Sequence, residues 1–207
     1  MNNQWNELIY KFWSPIYDKF FNSGKFLKAR KKIFQVEKFV NNQNILFVGV
    51  GTGADLEVIH HKDLNITAID YSNEMLDKAK EKFEDSSIKF IKMDAQDMCF
   101  NDNHFDVIVG SLVLSVVPNA DKCFKEMVRV LKPNGKIIIF DKFSPKDREI
   151  SVFKKAIRPF IKLLGTDIAI NFETLFKENN YALFVNEDTS LMFNGMYRKI
   201  IISKLQT

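Results

Sequence analysis

Residues 45–54 read Ile-Leu-Phe-Val-Gly-Val-Gly-Thr-Gly-Ala, or ILFVGVGTGA. Ile45 to Val48 is apolar without alternation, the pattern of a strand buried on both faces in a parallel sheet. Glycines follow at 49, 51 and 53. Glycine tolerates positive φ and lets a ligand lie against bare backbone, so a buried strand running into spaced glycines reads as a nucleotide loop. A helix expected from about Asp55 to His60 would aim its free N–H groups at that ligand. The stretch fits both G-x-G-x-x-A, close to the dinucleotide fingerprint, and G-x-G-x-G. The ligand must therefore be read from the rest of the chain.

At 207 residues the chain is long enough for one α/β domain with a substantial core. No apolar run approaches the roughly 20 residues of a membrane span. Asn, Gln, Glu and Lys interrupt the first residues, so no secretory leader is expected. Cys99 and Cys123 lack paired spacing and read as reduced, buried residues of a cytoplasmic protein. Charge is unevenly spread: +5 over 1–40, −5 over 41–141, +5 over 142–165 and −1 over 166–207. An acidic centre between two basic segments points to an anionic partner or surface.

Outward from the glycines, Ile66–Ile69 is a second strand ending at Asp70, and Asn73–Glu84 a helix. Ile88–Ile91 is a third strand, followed by Asp94-Ala95-Gln96-Asp97. Val107–Val109 is a fourth, Ala120–Leu131 a helix, Lys132–Gly135 a turn and Lys136–Phe140 a fifth strand ending at Asp141. Strands alternating with helices imply a parallel sheet. An acid at the tip of the second strand is where such folds hold ribose hydroxyls. Phe172–Asn179 reads as a short helix, and Ala182–Glu187 and Arg198–Ser203 as the last two strands. His60 and His61 lack partners at metal spacing and read as exposed; no metal site is expected.

The flanks are amphipathic. Trp5, Leu8, Ile9, Phe12 and Trp13 form one helical stripe. A second helix over roughly 25–40 places the basic run Lys28, Arg30, Lys31, Lys32 beside Phe26, Leu27, Ile33 and Phe34. A third, over 149–164, sets Phe153, Ile157, Phe160 and Leu164 against Lys154, Lys155, Arg158 and Lys162. Each reads either as a helix packed on the core with solvated lysines or as a membrane-interface segment. Residues 1–40 are thus expected to form a helical lid or interface segment, and 41–207 the main domain, with the 149–164 helix inserted.

Together, Leu46–Gly53, Asp70-Tyr71-Ser72 with Met75-Leu76, Asp94-Ala95-Gln96-Asp97, Phe105-Asp106 and Leu131-Lys132-Pro133-Asn134-Gly135 resemble the class I S-adenosylmethionine-dependent methyltransferases over about residues 40–141. The resemblance implies a single Rossmann-like, doubly wound seven-stranded sheet, mostly parallel with an antiparallel last strand. It implies S-adenosylmethionine held by Gly49, Gly51 and Gly53 at its methionine part, Asp70 at the ribose diol, Tyr71 and Met75 beside the adenine-binding region, Asp94 and Ala95 at the adenine, and Ser111 at the methionine end. One position departs from the pattern. The family usually carries Asp or Glu two residues before the first glycine, to fix the cofactor's amino group, and here that residue is Phe47. A water or another side chain takes the role, or affinity is lower.

Pro15-Ile16-Tyr17-Asp18 with Phe20-Phe21, and Arg158–Gly165, resemble the soluble bacterial phosphatidylethanolamine N-methyltransferases. Quinone C-methyltransferases share the Tyr-Asp pair. That resemblance implies a lid with Tyr17 over the cofactor, a phospholipid head-group substrate, and a monomer on the inner face of an anionic membrane. The alternative is a cytosolic methyltransferase of a small apolar thiol, phenol or quinone. Methyl transfer is an in-line displacement that depends mostly on positioning. An amine nucleophile must also lose a proton, and Asp141 and Tyr17 are the candidate catalytic groups; His104 reads as exposed. Asp141 reads equally well as a loop or cap carboxylate. A binding protein without turnover rests only on Phe47, and the Asp-Ala-Gln-Asp and Lys-Pro-Asn-Gly motifs disfavour an NAD-dependent dehydrogenase. No Asn-Pro-Pro-aromatic motif is present, so no nucleic-acid partner is expected.

Overall fold

The computed structural model describes residues 22–144, 170–179 and 182–206. The Trp5–Trp13 stripe, Tyr17 and the 149–164 segment lie outside them. The elements are α1 (Gly24–Val36), β1 (Asn44–Val48), β2 (Asn65–Asp70), α2 (Asn73–Lys82), β3 (Lys89–Lys92), β4 (Phe105–Ser111), α3 (Ala120–Val130), β5 (Leu131–Lys142), α4 (Phe172–Glu178), β6 (Leu183–Met192) and β7 (Tyr197–Lys204). They build one seven-stranded sheet in the order β3-β2-β1-β4-β5-β7-β6. Strands β1 to β5 pair in parallel, and β7 runs antiparallel to both β5 and β6. The sequence-based expectation of a mostly parallel sheet with an antiparallel last strand matches this topology.

Both faces of the central strands are buried, which is why those strands are continuously apolar. On one face Leu46, Val48, Ile108, Ile137 and Ile139 pack with Phe124 and Met127 of α3 and Phe172 and Leu175 of α4. On the other, Ile45, Phe47, Val107, Val109 and Phe140 pack with Phe26, Ile33 and Phe34 of α1 and Leu76 of α2. Helix α1 presents Phe26, Ala29, Arg30, Ile33 and Phe34 inward, the spacing of one helical stripe. Residues 24–36 of the basic N-terminal segment are therefore part of the core layer.

Four local expectations need correction. The helix expected over Asp55–His60 is a single 3-10 turn, Leu56–Val58, and Ile59 is already extended. The β-branched pair Val58-Ile59 favours that early stop. The turn read at Lys132–Gly135 is a bulge inside β5. Phe105 pairs with Leu131 but Val107 with Lys136, and Asn134 carries the positive φ of +63°. Cys99 is exposed; only Cys123 is buried. Arg30, grouped by sequence with the solvated basic run, is buried, and its Nε donates to Asp55 Oδ1 at 2.7 Å.

The Arg30–Asp55 pair ties α1 to the residue that leads out of the glycine loop. Its partners are 4% and 9% exposed at the side chain, so removing one leaves a dehydrated charge. Arg30→Ala is expected to lower stability by about 3–5 kcal/mol, with Arg30→Ala/Asp55→Ala recovering part of the loss. Urea denaturation measures both; a single-variant loss below about 1 kcal/mol shows that the pair is solvated.

Candidate functional site

Parallel pairing brings the C-terminal ends of β1, β2, β3, β4 and β5 to one sheet edge, where α/β folds bind their ligands. The glycine loop leaves β1 there. Val50 N–H donates to Ile69 O at 3.0 Å and Gly53 N–H to Val50 O at 3.0 Å, so the loop folds back over β2. Gly49, Gly51 and Gly53 have φ of +66°, +55° and +83°. At Gly49 a Cβ would stand 2.8 Å from Val113 Cγ2, and at Gly53 2.7 Å from Phe83 Cε2. Glycine at those two positions is demanded by both backbone and space.

Asp70 ends β2 with its carboxylate facing that loop. Oδ2 accepts Gly51 N–H at 2.8 Å and Oδ1 accepts Ser72 N–H at 2.9 Å. Its surface is still partly accessible, yet the surroundings remove much of its hydration. Burial pushes its pKa above the ordinary carboxylate value, against the three backbone N–H groups that favour the anion. Ser72 caps α2 by accepting Met75 N–H at 3.3 Å. Tyr71 lies beside it, with Lys92 Nζ 5.6 Å from the ring centroid, whereas the Met75 side chain is only 2% exposed.

After β3, Asp94 Oδ1 accepts Gln96 N–H at 2.9 Å and Gln96 Nε2–H at 2.9 Å, and Gln96 Oε1 accepts Asn119 N–H at 2.8 Å. Gln96 thus links the loop that holds Asp94 and buried Ala95 to the start of α3. The motif contained this residue, but its bracing role depends on a contact 23 positions away and has no local signature.

Ser111 ends β4. Its Oγ is buried with no hydrogen-bond partner among the described residues, and a buried hydroxyl left unpaired is a place for a polar group of a ligand. Leu112 turns left-handed (φ +57°) and donates its N–H to Phe140 O at 2.7 Å. Asp141, near the end of β5, is 0% exposed; its Oδ2 accepts Ser115 N–H at 3.2 Å and its Oδ1 accepts Lys142 N–H at 2.8 Å. Burial raises its pKa, and its charge together with burial pushes the Tyr197 hydroxyl up to about 12. His104 is exposed, and Tyr17 falls outside the described residues.

A strand tip with a glycine cradle, carboxylates at the next two tips and an unpaired hydroxyl at the fourth defines a cofactor-binding Rossmann-like α/β protein. A methyltransferase-domain family profile matches residues 46–139. The chain is 34% identical over 194 residues to the phosphatidylethanolamine N-methyltransferase of Cereibacter sphaeroides, covering 91% of this chain and 92% of that protein. It is 29% identical to the demethylmenaquinone methyltransferase of Lactobacillus johnsonii, covering 85% and 76%. The fold is shared with a SAM-dependent methyltransferase from Aquifex aeolicus at a TM-score of 0.63 and 18% identity, over 91% of this chain and 97% of that one. This protein belongs to the class I S-adenosylmethionine-dependent methyltransferases, with S-adenosylmethionine as its cofactor. The left-handed glycine cradle and the unpaired Ser111 hydroxyl fit that group.

Proposed function

We propose that the protein N-methylates the head group of a phosphatidylethanolamine-type phospholipid at the surface of an anionic membrane. The observation that carries this reading is the 34% identity to a phosphatidylethanolamine N-methyltransferase over nearly the full length of both chains. That similarity extends beyond residues 46–139 into the basic segments on either side. Among the described residues no helix is long and apolar enough to cross a membrane. Quinone methylation is the second reading, favoured by the demethylmenaquinone methyltransferase relative.

When bound, S-adenosylmethionine supplies an electrophilic methyl group on a sulfonium sulfur. In this proposal Gly49, Gly51 and Gly53 offer bare backbone to its methionine part, and the unpaired Ser111 hydroxyl bonds there. The Asp70 carboxylate accepts from the ribose diol. Asp94 and the Ala95 N–H meet the adenine, with Tyr71 alongside it and Met75 supporting the loop from the core. Carboxylates accept from hydroxyl and amino donors, which is why acids stand at these tips. Tyr17, which lies outside the described residues, is proposed as part of a lid over the site. Both Asp141 oxygens hold backbone N–H groups, one of them from Ser115 in the loop that follows Ser111. Asp141 therefore acts first to position that loop, and proton transfer by Asp141 requires the loop to open.

Transfer of labelled methyl from S-adenosylmethionine to phosphatidylethanolamine and to a demethylated menaquinone, measured side by side, tests the reading. Labelled mono- or dimethylated phosphatidylethanolamine supports it. Label in the quinone alone transfers the conclusion to the second reading.

A further inference from the structure

We infer that the groove between α1 and the tip of the β6–β7 hairpin is a docking surface for an anionic phospholipid bilayer; this rests on the lipid-directed reading above. Lys25, Lys28 and Lys32 line one side and Leu191, Met192 and Phe193 the other, around a volume of about 370 Å³. The lysines fall at spacings of three and four, so they project from one face of α1 while Phe26, Ile33 and Phe34 hold the opposite face in the core. Among the described residues no carboxylate lines the groove and none of the three lysines forms an ion pair. Lys25 Nζ stands 5.3 Å from the Phe193 ring centroid, and Phe193 is 50% exposed.

Two features run against local stability. Helix α1 has no acid in its first turn and carries Lys25 there, where the helix dipole disfavours a cation. Phe193 and Asn194 both adopt the left-handed region, φ +52° and +54°, before Gly195. A phenylalanine is disfavoured in that region, and here it leaves an aromatic ring facing solvent beside a lysine. Local rules broken together at one surface mark a place where function outweighs folding. Cations that can follow lipid phosphates, beside an exposed aromatic ring that can enter the interface and half-buried Leu191 and Met192 packed on the core, match an anionic bilayer in both charge and polarity.

The placement also suits the chemistry. Tyr197, the first residue of β7, pairs with Met192 on β6 and with Lys142 on β5. The hairpin tip is therefore at the same sheet edge as Ser111 and Asp141. A bilayer seated there brings head groups to the edge that holds the cofactor residues.

Vesicle co-sedimentation of the full chain tests this without turnover. Vesicles of 30% phosphatidylglycerol in phosphatidylcholine are compared with pure phosphatidylcholine. Wild type should bind the anionic vesicles at least tenfold more strongly, with binding weakened by salt. Lys25→Gln/Lys28→Gln/Lys32→Gln should lose on the order of 100-fold, and Phe193→Ser roughly tenfold, at unchanged Tm. The control Lys62→Gln/Lys89→Gln/Lys122→Gln removes the same charge elsewhere and should bind as wild type. Equal binding to pure phosphatidylcholine, wild-type binding by the groove triple, or an equal loss in the control overturns the docking surface. Vesicle binding through the groove without methylation of phosphatidylethanolamine leaves the docking surface standing and removes the substrate assignment. Methylation of detergent-dispersed phosphatidylethanolamine by wild type, with no groove-dependent vesicle binding, does the reverse.

Discussion

Asp70→Ala is expected to weaken cofactor binding by two to four orders of magnitude. In the structure one carboxylate serves two purposes. It accepts Gly51 N–H at 2.8 Å and Ser72 N–H at 2.9 Å, and it occupies the strand tip where the ribose diol is proposed to lie. Each hydrogen bond to a charged group contributes about 1.5–3 kcal/mol, so losing the two proposed bonds to the diol gives about 3–6 kcal/mol. Alanine also frees the loop that presents the glycines. Asp70→Asn keeps an acceptor for one N–H group but turns an amide donor toward the other, so it should fold with a stability loss of about 1–3 kcal/mol and lose about half of that binding energy. Calorimetric titration with S-adenosylhomocysteine, which binds without turnover, measures both variants. An alanine variant within threefold of wild-type affinity shows that the diol is held elsewhere.

The same group sets a pH dependence. Burial raises the Asp70 pKa in the cofactor-free protein. Between the ordinary carboxylate value and that raised value, the native chain keeps a proton that the unfolded chain has released. Stability from this group therefore falls as pH rises through the window. Binding responds in the opposite direction, because accepting from two hydroxyls requires the anion. Affinity for S-adenosylhomocysteine should drop on acidification, beginning above the pH at which an ordinary aspartate protonates, and Asp70→Asn should flatten that profile.

How much of this was legible from the sequence depends on how local each cause is. Ile45–Val48, Ile66–Ile69 and Val107–Val109 declare themselves because a strand buried on both faces needs an unbroken apolar run. The glycines and the acids at the tips stand out because the strand ends immediately before them. Where a partner is distant, the signal disappears. Arg30 sits in a basic run and is indistinguishable from its neighbours until Asp55, 25 residues away, takes its guanidinium into the core. Gln96 reads as one letter of a motif until it is found holding both Asp94 and Asn119. The Lys25–Phe193 groove joins two segments more than 160 positions apart, and no periodicity could have paired them. The helix expected after Gly53 failed for a nearer reason: the glycine pattern promises a helix, but Val58-Ile59 are poor at continuing one.

Phe47→Asp is expected to unfold the protein or nearly so, although it restores the acid usual in the family at this position. Phe47 is 1% exposed, at the centre of β1 between Ala68 and Val109, on the face covered by α1. Truncating a buried phenylalanine costs about 3–5 kcal/mol. A carboxylate in its place is dehydrated as well, adding several kcal/mol or forcing protonation. The sum rivals the entire stability of an ordinary domain. Buried Arg30 is already committed to Asp55 and lies 6.0 Å from the Phe140 ring centroid, and buried Lys199 of β7 is held by Glu37 and Glu187. To pair with a new acid Arg30 must give up Asp55. Phe47→Leu, which keeps the apolar contact, should cost only about 1–1.5 kcal/mol and leave cofactor affinity unchanged. Urea midpoints for the two variants, read beside S-adenosylhomocysteine affinity for Phe47→Leu, separate packing from ligand binding. A Phe47→Asp variant that keeps the wild-type midpoint and binds more tightly makes position 47 a displaced ligand contact. Collapse of that variant beside a sound Phe47→Leu shows that packing now governs this position, leaving the cofactor's amino group to backbone, water or another side chain.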